Sequence, residues 1–177
     1  RSASARVPSA SGQARSENGG PPRPGVFPLQ IVNWHGGRGG HICFSPVLPA
    51  NGERVLAQTK RTRERYREHG VDFSSTFYLC GRHVINVNLM IYDRDDAEMT
   101  KRTRDLFRVL VDDAAKEGYC EYRTHLTYMD QVARTFDFNN RALLRLNEAV
   151  KDALDPNGIL APGKSAIWPG QYRKGRA

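Results

Sequence analysis

The sequence predicts an α+β fold in which an antiparallel sheet carries helices on one face. Two helical patterns end at glycines, Gly70 and Gly118. Within residues 82–92, every second side chain from Ile85 to Ile91 is aliphatic, which is the pattern of a β-strand. The predicted elements follow the order strand, helix, strand, strand, helix, strand. That order is the split βαβ, ferredoxin-like arrangement, here followed by further C-terminal helices and preceded by a low-complexity tail.

The chain divides by composition into three regions. Residues 1–26 are rich in Ser, Ala, Gly, Pro and Arg, lack periodic apolar positions, and are predicted to be disordered. Residues 27–170 carry the predicted helices and strands and are expected to form one domain. Residues 171–177 are predicted to be a basic tail.

The first half of the domain is predicted to contain a strand, a helix and a hairpin. A loop with four glycines in six positions leads into a strand over residues 41–48. Asn51 is a suitable N-cap for the first helix. Residues 71–79 form the next strand, and a turn at Cys80 and Gly81 joins it to the alternating strand as a hairpin.

The second half of the domain begins with a helix that Asp95 or Asp96 caps. A strand is predicted after it, over residues 119–125. Alternation in this strand places Tyr122 on one face of the sheet and Arg123 on the other.

Two more helices are predicted after that strand. The first is short and spans residues 129–135. The second is capped by Asn139 or Asn140, and Pro156 and Gly158 stop it. Its apolar residues are predicted to face inward: Leu143, Leu144, Leu146, Val150, Ala153 and Leu154. The rest of the chain is predicted to be loop.

Charge does not indicate nucleic-acid binding. The net charge of the 177 residues is +8, but the excess is spread along the chain. The basic helix face at residues 60–67 contains Glu64 and is followed by Glu68. Such mixed charges are typical of a helix face exposed to solvent. An RNA-binding domain of this fold would present aromatics on its central strands, whereas the tyrosines here cluster around Arg123.

Hydropathy predicts no membrane partner. No apolar run approaches the roughly 20 residues that a membrane-spanning helix needs. The sequence predicts a soluble intracellular protein, cytoplasmic or peroxisomal, although the C-terminal Lys-Gly-Arg-Ala is not a peroxisomal signal.

Two apparent motifs do not predict a site. Cys43, Cys80 and Cys120 are odd in number and lack CxxC spacing, so reduced, mostly buried thiols are expected rather than a metal site or disulfides. Residues 158–165 fit the P-loop pattern GxxxxGK[ST]. A P-loop lies between a strand and a helix, whereas here a helix precedes the pattern and Pro169 follows it, so no nucleotide site is predicted.

The Tyr122-Arg123 pair is the strongest candidate for a binding site. Arginine supplies a fixed charge with a fork of donors, and tyrosine adds one O–H donor, so the pair suits a phenolate or a carboxylate. The alternative is a half-buried edge strand whose polar side chains face solvent. His41 follows the glycine-rich loop. The residues alone leave four roles possible for it: a ligand, a base, an attachment point for a cofactor, or no special role.

Several separated motifs resemble one known family. They are Glu121-Tyr-Arg-Thr-His-Leu-Thr-Tyr-Met-Asp-Gln131, Asp155-Pro-Asn-Gly-Ile-Leu-Ala-Pro-Gly-Lys-Ser165, Ile167-Trp-Pro169, and, upstream, residues 39–46 and 72–77. Their order resembles the C-terminal, or cap, part of the vanillyl-alcohol oxidase and 4-cresol dehydrogenase family of flavoproteins. The resemblance covers about residues 33–169.

The resemblance implies an FAD-dependent oxidoreductase that acts on para-substituted phenols. Tyr122 and Arg123 would be the catalytic pair that binds the phenolate oxygen, and His41 would occupy the position that bonds covalently to the flavin. Cys43 and Thr76 would line the substrate cavity. A hydride would pass from the phenol side chain to the flavin, and molecular oxygen or a cytochrome would then accept the electrons.

The resemblance also implies a missing partner. The family carries an N-terminal FAD-binding domain, and nothing in this sequence resembles it, so little independent activity is expected. The alternative is a non-catalytic remnant or binding module of the same fold. Homo-oligomers are common in the family, so a homo-oligomer is compatible with the resemblance.

Overall fold

The computed structural model describes residues 38–173. The strands in this part of the chain are β1 Gly39–Phe44, β2 Pro46–Pro49, β3 Ser74–Cys80, β4 His83–Asp93 and β5 Cys120–Glu121. The α-helices are α1 Gly52–Glu68, α2 Ala97–Lys116, α3 Met129–Arg134, α4 Phe138–Leu154 and α5 Gly170–Arg173. Short 3-10 turns span Leu126–Tyr128 and Lys164–Ala166. The predicted N-terminal tail and the last four residues of the predicted basic tail lie outside the described residues.

The strands form one antiparallel sheet in the order β5, β1 with β2, β4, β3. Strands β1 and β2 pair with β4 in a single register, so they are one strand interrupted at Ser45. This order is the ferredoxin-like one, which confirms the predicted fold class.

Helices α1 and α2 begin and end where their caps predict. The Asn51 side chain accepts a hydrogen bond from the Arg54 N–H at 3.0 Å, and the Asp96 side chain accepts one from the Met99 N–H at 2.9 Å. Gly118 follows the second helix with φ +77°, a conformation that favours glycine over residues with a Cβ.

Helices α1 and α2 cover one face of the sheet and form the core with it. Tyr66 of α1 and Phe107 of α2 are fully buried there. Phe107 makes an edge contact with Phe44, with ring centroids 6.2 Å apart, and stacks on Tyr128 at 4.3 Å. The other core members are Ile42, Leu48, Val71, Met90, Leu106, Leu110, Val111, Ala114, Tyr119 and Val132.

Two asparagines, Asn86 and Asn88, are buried on the helix-covered face of β4. In the shared register Pro46 lies opposite Asn86, and because proline has no N–H the Asn86 carbonyl loses its usual ladder donor. The Asn88 side-chain amide donates to that carbonyl at 3.0 Å and to the Phe44 carbonyl at 3.2 Å. A polar side chain in the core thus satisfies the backbone where the strand contains proline.

The prediction for the last helix was wrong at its start and in its packing. Asn139 and Asn140 lie inside α4 with left-handed φ values of 48° and 52°, and Asp137 occupies the N-cap position without a side-chain hydrogen bond. None of the α4 residues is buried, so the apolar stripe predicted to face inward is at least partly exposed in this part of the chain. Sequence periodicity identifies such a stripe but does not say what covers it.

Two smaller predictions also differ from the structure. The chain after the last predicted helix was expected to be loop, but it contains α5, whose Arg173 forms ion pairs with Glu148 at 3.2 Å and Asp152 at 2.7 Å. The three cysteines are free thiols, but Cys80 is exposed rather than buried.

Within residues 38–173, no helix combines the length and apolar character that a membrane span requires.

Candidate functional site

Three of the predicted site residues share the sheet face that α1 and α2 do not cover. His41 lies opposite Ile91, Cys43 opposite Leu89, and Thr76 opposite Val87, and residues directly opposite each other in an antiparallel pair point to the same side. The side opposite the helices, called the open face below, therefore carries His41, Cys43 and Thr76.

The open face is apolar along β4. Its β4 residues there are Ile85, Val87, Leu89 and Ile91, and all four are only partly buried. His41 is exposed beside them. The glycine before His41 is required by packing on the other face, because a Cβ on Gly40 would lie 2.6 Å from the Tyr92 ring. That glycine therefore makes room for a core-facing tyrosine.

Tyr122 and Arg123 lie just beyond β5 instead of within it. The prediction of a strand over residues 119–125 was wrong, since pairing stops at Glu121. The Tyr122 side chain is 60% exposed, and Arg123 is exposed as well. The two residues therefore stand at the end of an edge strand, where a ligand can reach both.

Both residues line a pocket of about 350 Å³. Its other walls come from α3, α4 and the 3-10 turn at Lys164–Ala166. The turn is held against α3 by the Ser165 N–H, which donates to the Met129 sulfur at 3.2 Å, and by the Trp168 indole, which donates to Asp130 at 3.0 Å. The walls are mostly apolar, and Lys164 adds a second cation beside Arg123.

Glu121 is the buried acid of this region. Its side chain is 8% exposed, and both carboxyl oxygens lie 2.9 Å from the Ser45 N–H, which donates to them. Burial raises the pKa of the Glu121 carboxyl to about 8, against the opposing effect of the Ser45 hydrogen bond. A carboxyl with that pKa is mostly neutral at pH 7, so it does not cancel the charge of Arg123 in the same pocket.

Cys43 connects the open face to the Tyr122-Arg123 pair. Burial raises the pKa of the Cys43 thiol, the charge of Arg123 lowers it, and Glu121 raises it. Cys43 lies two residues before Ser45, whose carbonyl accepts a hydrogen bond from the Tyr122 N–H at 2.8 Å, so the pair and the open face are neighbours in the sheet. His41, Cys43 and Thr76 do not line the 350 Å³ pocket, so within residues 38–173 the predicted residues form two neighbouring groups rather than one cavity.

Sequence reasoning missed two residues of this region. Glu121 was placed in a strand with no role of its own, although its contact with Ser45 joins residues 76 positions apart. Lys164 appeared in a rejected P-loop pattern and within one of the family motifs, with no role of its own. The placement of neither residue has a local sequence signal, because it depends on how β5 meets distant parts of the chain.

The fold and the site together define a two-layer α+β domain whose candidate functional residues lie on its open face and at the end of its edge strand. The chain matches the family of FAD linked oxidases, C-terminal domain, over residues 3–165, and it belongs to that family. FAD is the cofactor of this family. The match confirms the resemblance that the motifs indicated.

Two proteins with similar sequences agree with this family assignment. The chain is 36% identical over 144 residues to the 4-cresol dehydrogenase [hydroxylating] flavoprotein subunit of Pseudomonas putida, covering 81% of this chain and 27% of that protein. It is 26% identical over 136 residues to the 1'-carboxy-chondrochloren decarboxylase of Chondromyces crocatus, covering 75% and 24%.

Two solved structures resemble this domain in both fold and sequence. The 4-ethylphenol oxidase from Gulosibacter chungangensis, in an isoeugenol complex, has a TM-score of 0.74 and 42% identity over 76% of this chain and 26% of that chain. p-Cresol methylhydroxylase with substrate bound has a TM-score of 0.69 and 35% identity, covering 73% and 24%. The chain thus spans about a quarter of the length of the relatives it matches.

The open face fits the flavin part of FAD. A planar ring system can lie on the partly exposed Ile, Val and Leu side chains of β4, next to the exposed imidazole of His41. His41 and these β4 side chains are therefore accessible on the open face.

Proposed function

We propose that this chain is the substrate-binding, C-terminal part of an FAD-dependent oxidoreductase that oxidises para-substituted phenols. The observation that carries the proposal is that Tyr122 and Arg123 line a mostly apolar pocket of about 350 Å³. That volume lies within the roughly 300–1,000 Å³ typical of small-molecule sites. The names of the relatives, a 4-cresol dehydrogenase and a 4-ethylphenol oxidase, agree with a phenolic substrate.

The chain's own residues would bind and polarise the phenol. The Arg123 guanidinium supplies a positive charge and the Tyr122 hydroxyl supplies a hydrogen-bond donor, so together they favour the phenolate over the phenol. The apolar wall formed by α3 and α4 would accept the ring and exclude water. Electron density from the phenolate oxygen reaches the para carbon, where the oxidisable substituent is attached.

FAD, when bound, supplies the hydride acceptor for this oxidation. His41 is our candidate for its covalent attachment, while Cys43 and Thr76 face the same side and are our candidates for cavity walls. The FAD-binding portion is proposed to come from outside residues 38–173. We expect the chain alone to have little activity, and either molecular oxygen or a cytochrome to reoxidise the flavin.

Loss of the Arg123 charge is expected to weaken phenolate binding at least about tenfold, because a charge-assisted hydrogen bond contributes about 1.5–3 kcal/mol. The probe is 4-nitrophenol, whose absorbance reports its ionisation, titrated into the wild-type chain and Arg123→Ala. The matched control is Arg82→Ala, since Arg82 is an exposed arginine at the β3–β4 turn. Equal affinity in both variants would contradict the proposed site.

Covalent flavin retention is expected to depend on His41. The chain would be co-expressed with the FAD-binding portion of the 4-ethylphenol oxidase, then denatured and weighed by intact-mass spectrometry. We expect the flavin mass to stay with the wild-type chain and to disappear in His41→Ala. His83→Ala is the control, because His83 is an exposed histidine at the far end of the same open face. Retention of flavin in both variants would reject His41 as the attachment point.

A further inference from the structure

Strand β5 stops after two residues beside the interruption at Ser45. When the register of β2 and β5 is continued by one position, Ser45 lies opposite Tyr122. The Tyr122 N–H donates to the Ser45 carbonyl at 2.8 Å. This bond is one of the two that a hydrogen-bonded antiparallel pair exchanges.

The second bond of that pair goes to a side chain. In a regular ladder the Ser45 N–H would donate to the Tyr122 carbonyl. Here it donates to the carboxyl oxygens of Glu121, both at 2.9 Å. Ser45 and Glu121 are both buried, so this N–H has little access to water as an alternative partner.

We infer that Glu121 is a positioning residue whose side-chain carboxyl replaces the Tyr122 carbonyl in the sheet, ends β5, and directs Tyr122 and Arg123 out of the strand towards the pocket. The strand can stop there without leaving a buried donor unsatisfied. The backbone after Glu121 is then free to turn, which explains why pairing ends at Glu121, four residues before the predicted end of the strand.

The geometry links the carboxyl to the binding pair directly. Glu121 precedes Tyr122 in the chain, lines the same pocket as both Tyr122 and Arg123, and is fixed to the strand that carries Cys43. If β5 continued through Tyr122 and Arg123, alternation would send these two side chains to opposite faces of the sheet. Ending the strand allows both to line one pocket.

The inference is tested first without any ligand, by amide hydrogen exchange in the ¹⁵N-labelled chain. In Glu121→Leu we expect the Ser45 amide to exchange about tenfold faster relative to the core amides of α2, because its acceptor is gone. Glu121→Gln keeps a carbonyl acceptor and is expected to restore the protection. Glu64→Gln, at an exposed acid of α1, is the control. Unchanged Ser45 protection in Glu121→Leu would overturn the inference.

A second measurement uses the wild-type chain, so it does not depend on whether the leucine variant folds. The Ser45 amide chemical shift should follow the ionisation of the carboxyl to which it donates, with a midpoint near the Glu121 pKa of about 8. This titration should be absent in Glu121→Gln. A Ser45 shift that stays flat across that range would also overturn the inference.

The link to binding rests on the proposed function and is measured separately with 4-nitrophenol. We expect Glu121→Leu to bind the probe at least about tenfold more weakly, and Glu121→Gln to bind it as the wild type does. Equal binding by all three would reject the positioning role. If the wild-type chain does not bind the probe, the proposed function fails, and Ser45 exchange alone decides whether Glu121 ends the strand.

Discussion

Replacing Phe107 by alanine is expected to lower the free energy of unfolding by about 3–5 kcal/mol. Phe107 is fully buried and contacts aromatic rings on two sides, Phe44 of β1 at 6.2 Å and Tyr128 at 4.3 Å. Removing the ring deletes its transfer free energy and both ring contacts, and it leaves a cavity between the sheet and α2. Urea denaturation followed by circular dichroism measures the loss.

The matched control for this prediction is Phe138→Ala. It removes the same side chain from the first turn of α4, where it is 86% exposed, so the change should stay within about 0.5 kcal/mol. Phe107→Leu should lie between the two variants, because leucine fills part of the space. A loss of less than about 1 kcal/mol in Phe107→Ala would contradict the described core.

Glu121 is expected to make the chain about 3 kcal/mol less stable at pH 8 than at pH 5, and Glu121→Gln should remove this dependence. The pKa of this carboxyl is about 4.5 in the unfolded chain, and burial raises it to about 8 in the folded chain. Between these values the folded chain holds a proton that the unfolded chain has released. Unfolding therefore releases a proton, and rising pH favours it.

The sign and the window of this effect are both testable. Below pH 4.5 the group is protonated in both states and its contribution is complete; above pH 8 it is ionised in both states and the loss is complete. Urea midpoints measured at pH 5, 6, 7 and 8 should fall with rising pH for the wild type and for Glu64→Gln. The part of this fall that comes from the Glu121 carboxyl should be absent in Glu121→Gln. Parallel curves for the wild type and Glu121→Gln would show that burial does not shift this carboxyl.

The element order and the ends of α1 and α2 followed from local sequence. Asn51 and Asp96 cap helices because a short polar side chain reaches back to the next turn, and Gly118 ends one because it accepts a positive φ. These causes act within four residues, so the sequence alone contains them. The family motifs added the candidate site in the same way, as short runs of residues.

The features that sequence did not predict depend on contacts between distant residues. Alternation identified β4 as a strand but could not show that its asparagines, rather than its isoleucines, face the helices. The early end of β5 depends on Ser45, which is 76 residues from Glu121. The exposure of the α4 stripe likewise depends on what packs against it, which the helical period does not contain.

Pro46 and Asn88, which act on the same backbone carbonyl, also constrain which substitutions this domain can accept. Asn88 donates to the Asn86 carbonyl that Pro46 leaves without a ladder donor. An aliphatic residue at position 88 would raise core hydrophobicity yet leave that carbonyl unsatisfied, unless position 46 regained an N–H at the same time. The two sites are therefore epistatic: a mutational path between a polar and an apolar version of this layer must restore the N–H at position 46 before it removes the amide at position 88.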